Sequence, residues 1–312
     1  MKKLLFLFFS IIAVQNISAQ EAFQEKDITV NKFIDGTLTT PAAGQARSLV
    51  IFVQGSGPTD RNGNQPMMKS DFAKKIAHQL AGNGIASFRF DKRIFKMKEL
   101  DIKEKDLRFE DFVTDIESII SYFRKEGKYE NIIVAGHSAG SLQGILAAKD
   151  NADAFISLAG AGESIDKIIV DQIAKQAPGL KENTQQAFDE LIATGSTSSY
   201  NPMLQSIFRP SVQPYMASWI KYDPAQEMAK LDIPVLIVNG TADIQVSPEE
   251  AKMLEKADPD AELVIIEDMN HVFRKVESDD ALENTKTYNE PNRPLHPELI
   301  PVLTDFIKAQ EK

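Results

Sequence analysis

The sequence predicts a single α/β domain: a mostly parallel, doubly wound sheet with an inserted, mainly helical cap. Three observations predict it. Apolar runs of strand length alternate with amphipathic helical stretches from Ser48 to Ala159. That alternation lapses over about 162–230 and resumes at Ile233. The third is the pentapeptide Gly136-His137-Ser138-Ala139-Gly140, set directly after the apolar run Ile132-Ile133-Val134-Ala135.

Taken in order, residues 1–19 read as a signal peptide. Met1-Lys2-Lys3 is basic, Leu4 to Val14 is apolar but too short to span a bilayer, and Gln15 to Ala19 is polar with a small residue at its end. Cleavage after Ala19 leaves residues 20–312 and an expected destination in the periplasm or outside the cell. The chain has no cysteine, so a thiol-linked lipid anchor, disulfides and thiolate metal sites are excluded, and no stable membrane anchor is expected after leader removal.

Asp27 to Thr40 reads as an edge hairpin, with β-rich patches broken at Asp35-Gly36. Ser48 to Gln54 is a continuous apolar run, as a parallel strand covered on both faces requires. Lys69 to Ala81 has helical spacing, Ile85 to Phe90 is a strand, and Phe109 to Lys125 is an amphipathic helix. Asn131 to His137 and Asp153 to Ala159 are further strands flanking a helix from Ser138 to Ala148. Beyond the cap come the strand Ile233 to Asn239, the helix Pro248 to Lys256, the strand Glu262 to Glu267 and a closing helix from about Pro297 to Ala309.

Charge narrows the partners. With 45 acidic against 35 basic residues the net charge is −10, and the lysines of Lys98 to Lys105 are interspersed with acids. There is no basic footprint for nucleic acid.

A strand that runs through Gly-x-Ser-x-Gly into a helix is the turn that exposes a nucleophilic serine above a sheet, and positions 136 and 140 must be almost free of side chain for strand and helix to approach. A serine hydroxyl needs a base, and the base needs a carboxylate to orient it, in the chain order Ser, Asp or Glu, His. Asp243 lies in Gly240-Thr241-Ala242-Asp243 and His271 in Asp268-Met269-Asn270-His271, each just beyond a strand's carboxyl end, where α/β sheets gather their chemistry. Ser138, Asp243 and His271 are therefore the candidate nucleophile, acid and base.

Among the remaining histidines, His78 belongs to an amphipathic helix, His137 packs or hydrogen-bonds at the turn, and His296 is the second candidate for the base. Oxyanion donors are expected from the amide of Ala139 and from the Gln54-Gly55-Ser56-Gly57-Pro58 loop, with Ser56 first and Gly57 next. Asp60-Arg61-Asn62-Gly63-Asn64 lacks the ligands of a calcium loop and reads as a turn at the cleft mouth. Arg89 and Asp91-Lys92-Arg93 read as salt-bridged support for their turn. No metal-ligand spacing is found, and no cofactor is expected.

With these residues the chain resembles the α/β-hydrolase superfamily, and within it the esterase and serine-aminopeptidase-like branch of bacterial exported hydrolases. The resemblance is carried by Gly55 to Gly63, Gly136 to Gly140, Gly240 to Asp243 and Asn270-His271, with Phe208 to Tyr215 and Lys221 to Pro224 in the cap. It covers nearly all of the mature chain and implies the same roles for Ser138, Asp243 and His271. One departure is that Ile94-Phe95-Lys96 replaces the glycine-rich continuation common after the Asp-x-Arg turn.

The leading expectation is a carboxylic ester hydrolase acting on a small-molecule ester. Gly57, Phe208, Tyr215 and Trp219 are candidates for its pocket, alongside Tyr222, although the same aromatics would serve to pack the cap on the sheet. The alternatives are a serine peptidase or aminopeptidase, with Glu163 and Asp166 as candidate amine anchors, and a non-catalytic binding module of the same fold. Acyl-CoA thioesters are disfavoured for an exported enzyme.

Overall fold

Strand order in the central sheet decides where the site lies. The computed structural model describes residues 22–278 and 280–311; the leader expected over 1–19 lies outside them. The chain opens with β1 (Phe23–Asn31) and β2 (Ile34–Pro41), followed by β3 (Ser48–Val53), α1 (Phe72–Gly82), β4 (Ala86–Phe90) and α2 (Phe109–Glu126). Next come β5 (Asn131–His137), α3 (Ala139–Ala148) and β6 (Ala154–Leu158). Five helices then succeed one another without a strand: α4 (Ile165–Gln176), α5 (Lys181–Thr194), α6 (Gln205–Phe208), α7 (Gln213–Trp219) and α8 (Pro224–Met228). The sheet resumes with β7 (Val235–Gly240), α9 (Pro248–Ala257), β8 (Glu262–Ile266), α10 (Ala281–Lys286) and α11 (Leu299–Ala309).

The eight strands run in the order β1-β2-β4-β3-β5-β6-β7-β8. The pairs β1–β2 and β2–β4 are antiparallel, and every pair beyond them is parallel. Strands β3, β6 and β7 are buried along their whole length, which is why they read as unbroken apolar runs. Helix α2 offers Phe109, Phe112, Ile116, Ile120 and Phe123 along one face and ends at Gly127, whose φ of +65° suits a helix stop. Two apolar cores result. One lies between the sheet and α2, α3, α9 and the cap helices, and the other between the opposite face and α1 and α11.

The hairpin is present, but its turn is not at Asp35-Gly36. The chain reverses at Lys32-Phe33, where Asn31 Oδ1 accepts from the Phe33 amide at 2.8 Å. Gly36 instead sits inside β2 opposite Phe90, and a Cβ there would come within 2.2 Å of the Phe88 ring. The glycine makes room for a fully buried aromatic whose burial is worth about 2 kcal/mol. The hairpin is also not wholly at the edge, because β2 continues the sheet into β4.

The helical insertion is tied down at both sides of the cleft. Ser218 Oγ accepts from the Phe109 amide at 2.8 Å, and Trp219 stacks on Phe109 with ring centroids 5.2 Å apart. Where the chain leaves β6, the Glu250 carboxylate accepts from the amides of Gly162 and Glu163 at 2.9 and 3.0 Å.

Candidate active site

Ser138 occupies the turn between β5 and α3 with φ 55° and ψ −124°. A serine held at positive φ costs on the order of 1–3 kcal/mol, and the surroundings enforce it. Its amide donates to Leu158 O at 2.9 Å. A Cβ on Gly136 would come 2.3 Å from Gly140 O, so that glycine does allow strand and helix to meet. Gly140 has a different neighbour: its Cβ would meet Val53 O and Gln54 O at 2.5 and 2.7 Å, so it admits the helix against the carboxyl end of β3. Ala139 begins α3, and a first-turn amide has no partner inside its helix.

Asp243 and His271 lie beyond β7 and β8 and touch each other. His271 Nδ1 donates to Asp243 Oδ2 at 2.7 Å, with both side chains almost fully buried. The other oxygen, Oδ1, accepts from the amides of Gln245 and Val246 at 2.8 and 3.0 Å. The carboxylate is thereby aimed, and the proton on Nδ1 leaves Nε2 as the basic nitrogen. The loops carrying the pair are stitched together. Ala242 N donates to Met269 O at 3.1 Å, Asp268 N to Thr241 Oγ1 at 2.8 Å, and Asn284 Nδ2 to Ala242 O at 2.7 Å.

His137 is buried against the rings of Phe72, His271 and Phe273, and its Nε2 donates to the His271 carbonyl at 3.0 Å. Burial, with the neighbouring His271 adding to it, pushes its pKa well below the usual imidazole value, so it is a neutral ring that holds the backbone of the other histidine. His296 accepts from Glu298 N at 3.3 Å through Nδ1, a local cap at the start of α11, and it does not line the cleft.

The loop after β3 packs directly on the serine turn: a Cβ on Gly55 would come 3.1 Å from Ser138 Cβ. Ser56 O accepts from Thr59 Oγ1 and Gln65 Nε2 at 2.9 and 3.1 Å. Next to this loop, the support expected of Asp91-Lys92-Arg93 divides. Asp91 receives Arg61 at 2.6 Å and Arg93 pairs with Asp115 at 2.7 Å, while Arg89 reaches Glu25 and Asn62. Lys92 departs from the expectation. It is buried, forms no ion pair among the described residues, and donates from Nζ to Gly55 O.

Ser138, His271 and Lys92 open on a cleft of about 800 Å³. One wall is the apolar face of α4, with Ile165, Ile168, Ile169 and Ile173, and another carries Leu107, Phe112, Tyr215 and Trp219. Gly57, Tyr215 and Trp219 thus line the cleft as expected of pocket residues. Phe208 does not: it is fully buried in the cap against Phe188 and Tyr200. Tyr222 also faces away, packed on Phe109 and bonded to Glu110. Among the described residues the only carboxylate lining the cleft is Glu104, and it is occupied by Arg209 and Ser211. Arg209 beside it holds its pKa below the ordinary carboxylate value. Glu163 and Asp166 do not line the cleft.

Comparison with known proteins bears on the fold. Est1E from Butyrivibrio proteoclasticus superposes with a TM-score of 0.57 at 20% identity, covering 92% of this chain and 98% of the other. The chain has the α/β-hydrolase fold. An acylaminoacyl peptidase from Pyrococcus horikoshii superposes with a TM-score of 0.55 at 15% identity, over 93% of this chain and 42% of that one. In sequence, residues 67–205 match the family described as serine aminopeptidase, S33, a stretch that holds Ser138 and ends before Asp243. The esterase EstD of Thermotoga maritima is 25% identical over 269 residues, which is 81% of this chain and 61% of that protein. The chain thus spans about three-fifths of the length of this curated relative.

Part of the site lies in the segment between His271 and α11, of which only His296 stands out in the sequence. Asn270 bonds Asn284 and Thr287 at 3.0 and 2.8 Å in a buried cluster, and Tyr288 lines the cleft, with its hydroxyl accepting from Gln245 at 3.1 Å. Burial, reinforced by the Asp243 charge, raises the Tyr288 pKa and keeps the phenol neutral. The sequence holds no strong signal for this, since Asn, Thr and Tyr in a polar stretch read as loop.

Proposed function

We propose that this chain is a serine hydrolase of carboxylic esters that works through an acyl-enzyme on Ser138. His271 Nε2 takes the proton as Ser138 Oγ attacks the ester carbonyl. The oxyanion is received by the amides of Ala139 and Ser56. His271 then protonates the departing alcohol, and water repeats the sequence to release the acid. Asp243 holds His271 in the required tautomer throughout. The observation that carries the reading is the 2.7 Å hydrogen bond from His271 to Asp243, with His271 lining the same cleft as a serine held at φ 55°.

Ester rather than amide chemistry is favoured by the cleft wall. An aminopeptidase needs a free carboxylate for the substrate's ammonium, whereas Glu104 is committed to Arg209 and Ser211. The match of residues 67–205 to serine aminopeptidases supports the peptidase as the second reading. The substrate we favour is a small ester with an apolar acyl or aryl group. The leader suggests an exported setting, and a purified mature protein beginning at Gln20 would support it.

The deciding experiment is labelling with a fluorophosphonate probe, alongside Ser138→Ala and assays on aryl esters and aminoacyl anilides. Labelling and ester turnover that disappear in the variant, by on the order of a millionfold in kcat, would support the proposal. Turnover of anilides alone would favour the peptidase. A folded wild type that neither labels nor turns over would move the chain to the binding-module reading.

A further inference from the structure

We propose that Lys92 is a positioning residue for the oxyanion hole: its side-chain amine anchors the Gly55 carbonyl and so sets the direction of the Ser56 amide. The inference rests on the hydrolase reading above. A trans peptide is planar, with its carbonyl and N–H pointing in opposite directions. Fixing Gly55 O therefore fixes Ser56 N–H, because the two belong to one peptide plane. Lys92 Nζ donates to that oxygen at 2.5 Å from a side chain only 5% exposed.

The second plane of Ser56 is held independently, by Thr59 and Gln65 on its carbonyl. Ser56 N–H itself has no acceptor among the described residues, so it is a donor left open beside Ser138. The loop needs such anchors because Gly55 and Gly57 flank the serine, and glycine backbone is the most easily reoriented.

Burial of an amine without a carboxylate is costly, and Lys92 shows that cost: desolvation brings its pKa down from 10.5 to about 7. A lysine serving only as filler would be replaced by an apolar side chain with a gain in stability. Below about pH 7, as an ammonium, it makes a charge-assisted hydrogen bond that polarises the Gly55–Ser56 peptide and strengthens the donor on its far side, and at higher pH the neutral amine still donates an N–H to Gly55 O. The titratable groups around it are His137 on β5, its chain neighbours Asp91 and Arg93, and, along the cleft, Glu104, Arg209 and His271.

The test is Lys92→Met, which keeps the stem and removes the donor; Lys92→Leu, which also lacks a donor, serves if the Met variant does not fold. Five quantities are read on the mature protein: the melting temperature, kcat and KM for a p-nitrophenyl ester, the affinity of an alkylboronic acid that mimics the tetrahedral adduct, and hydrogen exchange over residues 54–59. The expected result is a melting temperature equal to or above that of the wild type, a fall in kcat of about tenfold to a hundredfold, and a comparable loss of boronate affinity. KM should stay within threefold, and exchange over 54–59 should quicken. Unchanged kcat and boronate affinity in a variant of an active wild type would overturn the role of Lys92 alone. A wild type without turnover would instead defeat the hydrolase reading. In that case unaltered exchange over 54–59 in the variant would overturn the anchoring as well.

Discussion

His137 Nε2 donates to the backbone carbonyl of His271 at 3.0 Å, so the residue that precedes the turn serine grips the loop carrying the proposed base. The serine and the imidazole come from strands separated in the sheet by β6 and β7. This bond fixes their relation without passing through either reactive atom.

Replacing His137 by Leu should therefore let the His271 loop drift while Ser138 remains in place. A displacement of about 1 Å costs about a hundredfold in rate. The expected outcome is a kcat lowered by about that factor on an aryl ester, with fluorophosphonate labelling slowed in parallel and the far-ultraviolet circular dichroism unchanged.

Asp243→Asn should preserve the packing of the loop but lose the partner that selects the His271 tautomer. We expect kcat to fall about ten-thousandfold with KM little altered. A loss below tenfold, measured by steady-state kinetics, would remove Asp243 from the proposed mechanism.

The same buried groups set a pH dependence of stability. Burial lowers the pKa of His137 well below 6.5, so as pH falls below 6.5 the unfolded chain takes up a proton that the folded one resists. Stability contributed by His137 is thus full above 6.5 and is lost on acidification. Lys92, brought from 10.5 to about 7, makes stability rise with pH between those two values. Thermal melts over a pH series should show both slopes. His137→Leu should flatten the acidic one and Lys92→Met the alkaline one.

Ile169 belongs to the α4 wall of the cleft. Ile169→Trp should shorten the space for an acyl chain and leave the reacting groups untouched. The expected change is a drop of about tenfold in kcat/KM for p-nitrophenyl octanoate relative to the acetate. An unchanged ratio would place the acyl group against another wall.

Much of this was legible in the chain because it is local. Strands β3, β6 and β7 are covered on both faces, and such strands write themselves as apolar runs. The turn at Ser138 is encoded within five residues, and Asp243 and His271 each follow a recognisable strand. What escaped depends on partners distant in sequence. Gly36 reads as a turn residue, yet it answers to the ring of Phe88. Asp91-Lys92-Arg93 reads as salt-bridged support for its turn. Only the folded chain shows that the outer two find counter-ions and the middle one turns inward to a carbonyl. Phe208 has the composition of a pocket residue, but its burial against Phe188 spends it inside the cap.

Helices α4 to α8 occupy one uninterrupted stretch between β6 and β7, and they bring much of the apolar wall but none of Ser138, Asp243 or His271. The proposed proton-transfer groups, with the amides of Ser56 and Ala139, all come from the sheet and its loops. The proposed reacting groups and much of the apolar wall are thus written in separate passages of the gene. A recombination event, natural or in the laboratory, that exchanged this stretch between relatives would replace much of the apolar wall while Ser138, Asp243 and His271 were inherited intact. The seams of such an exchange are marked by the grip of Glu250 on Gly162 and Glu163 and by the contact of Ser218 with Phe109.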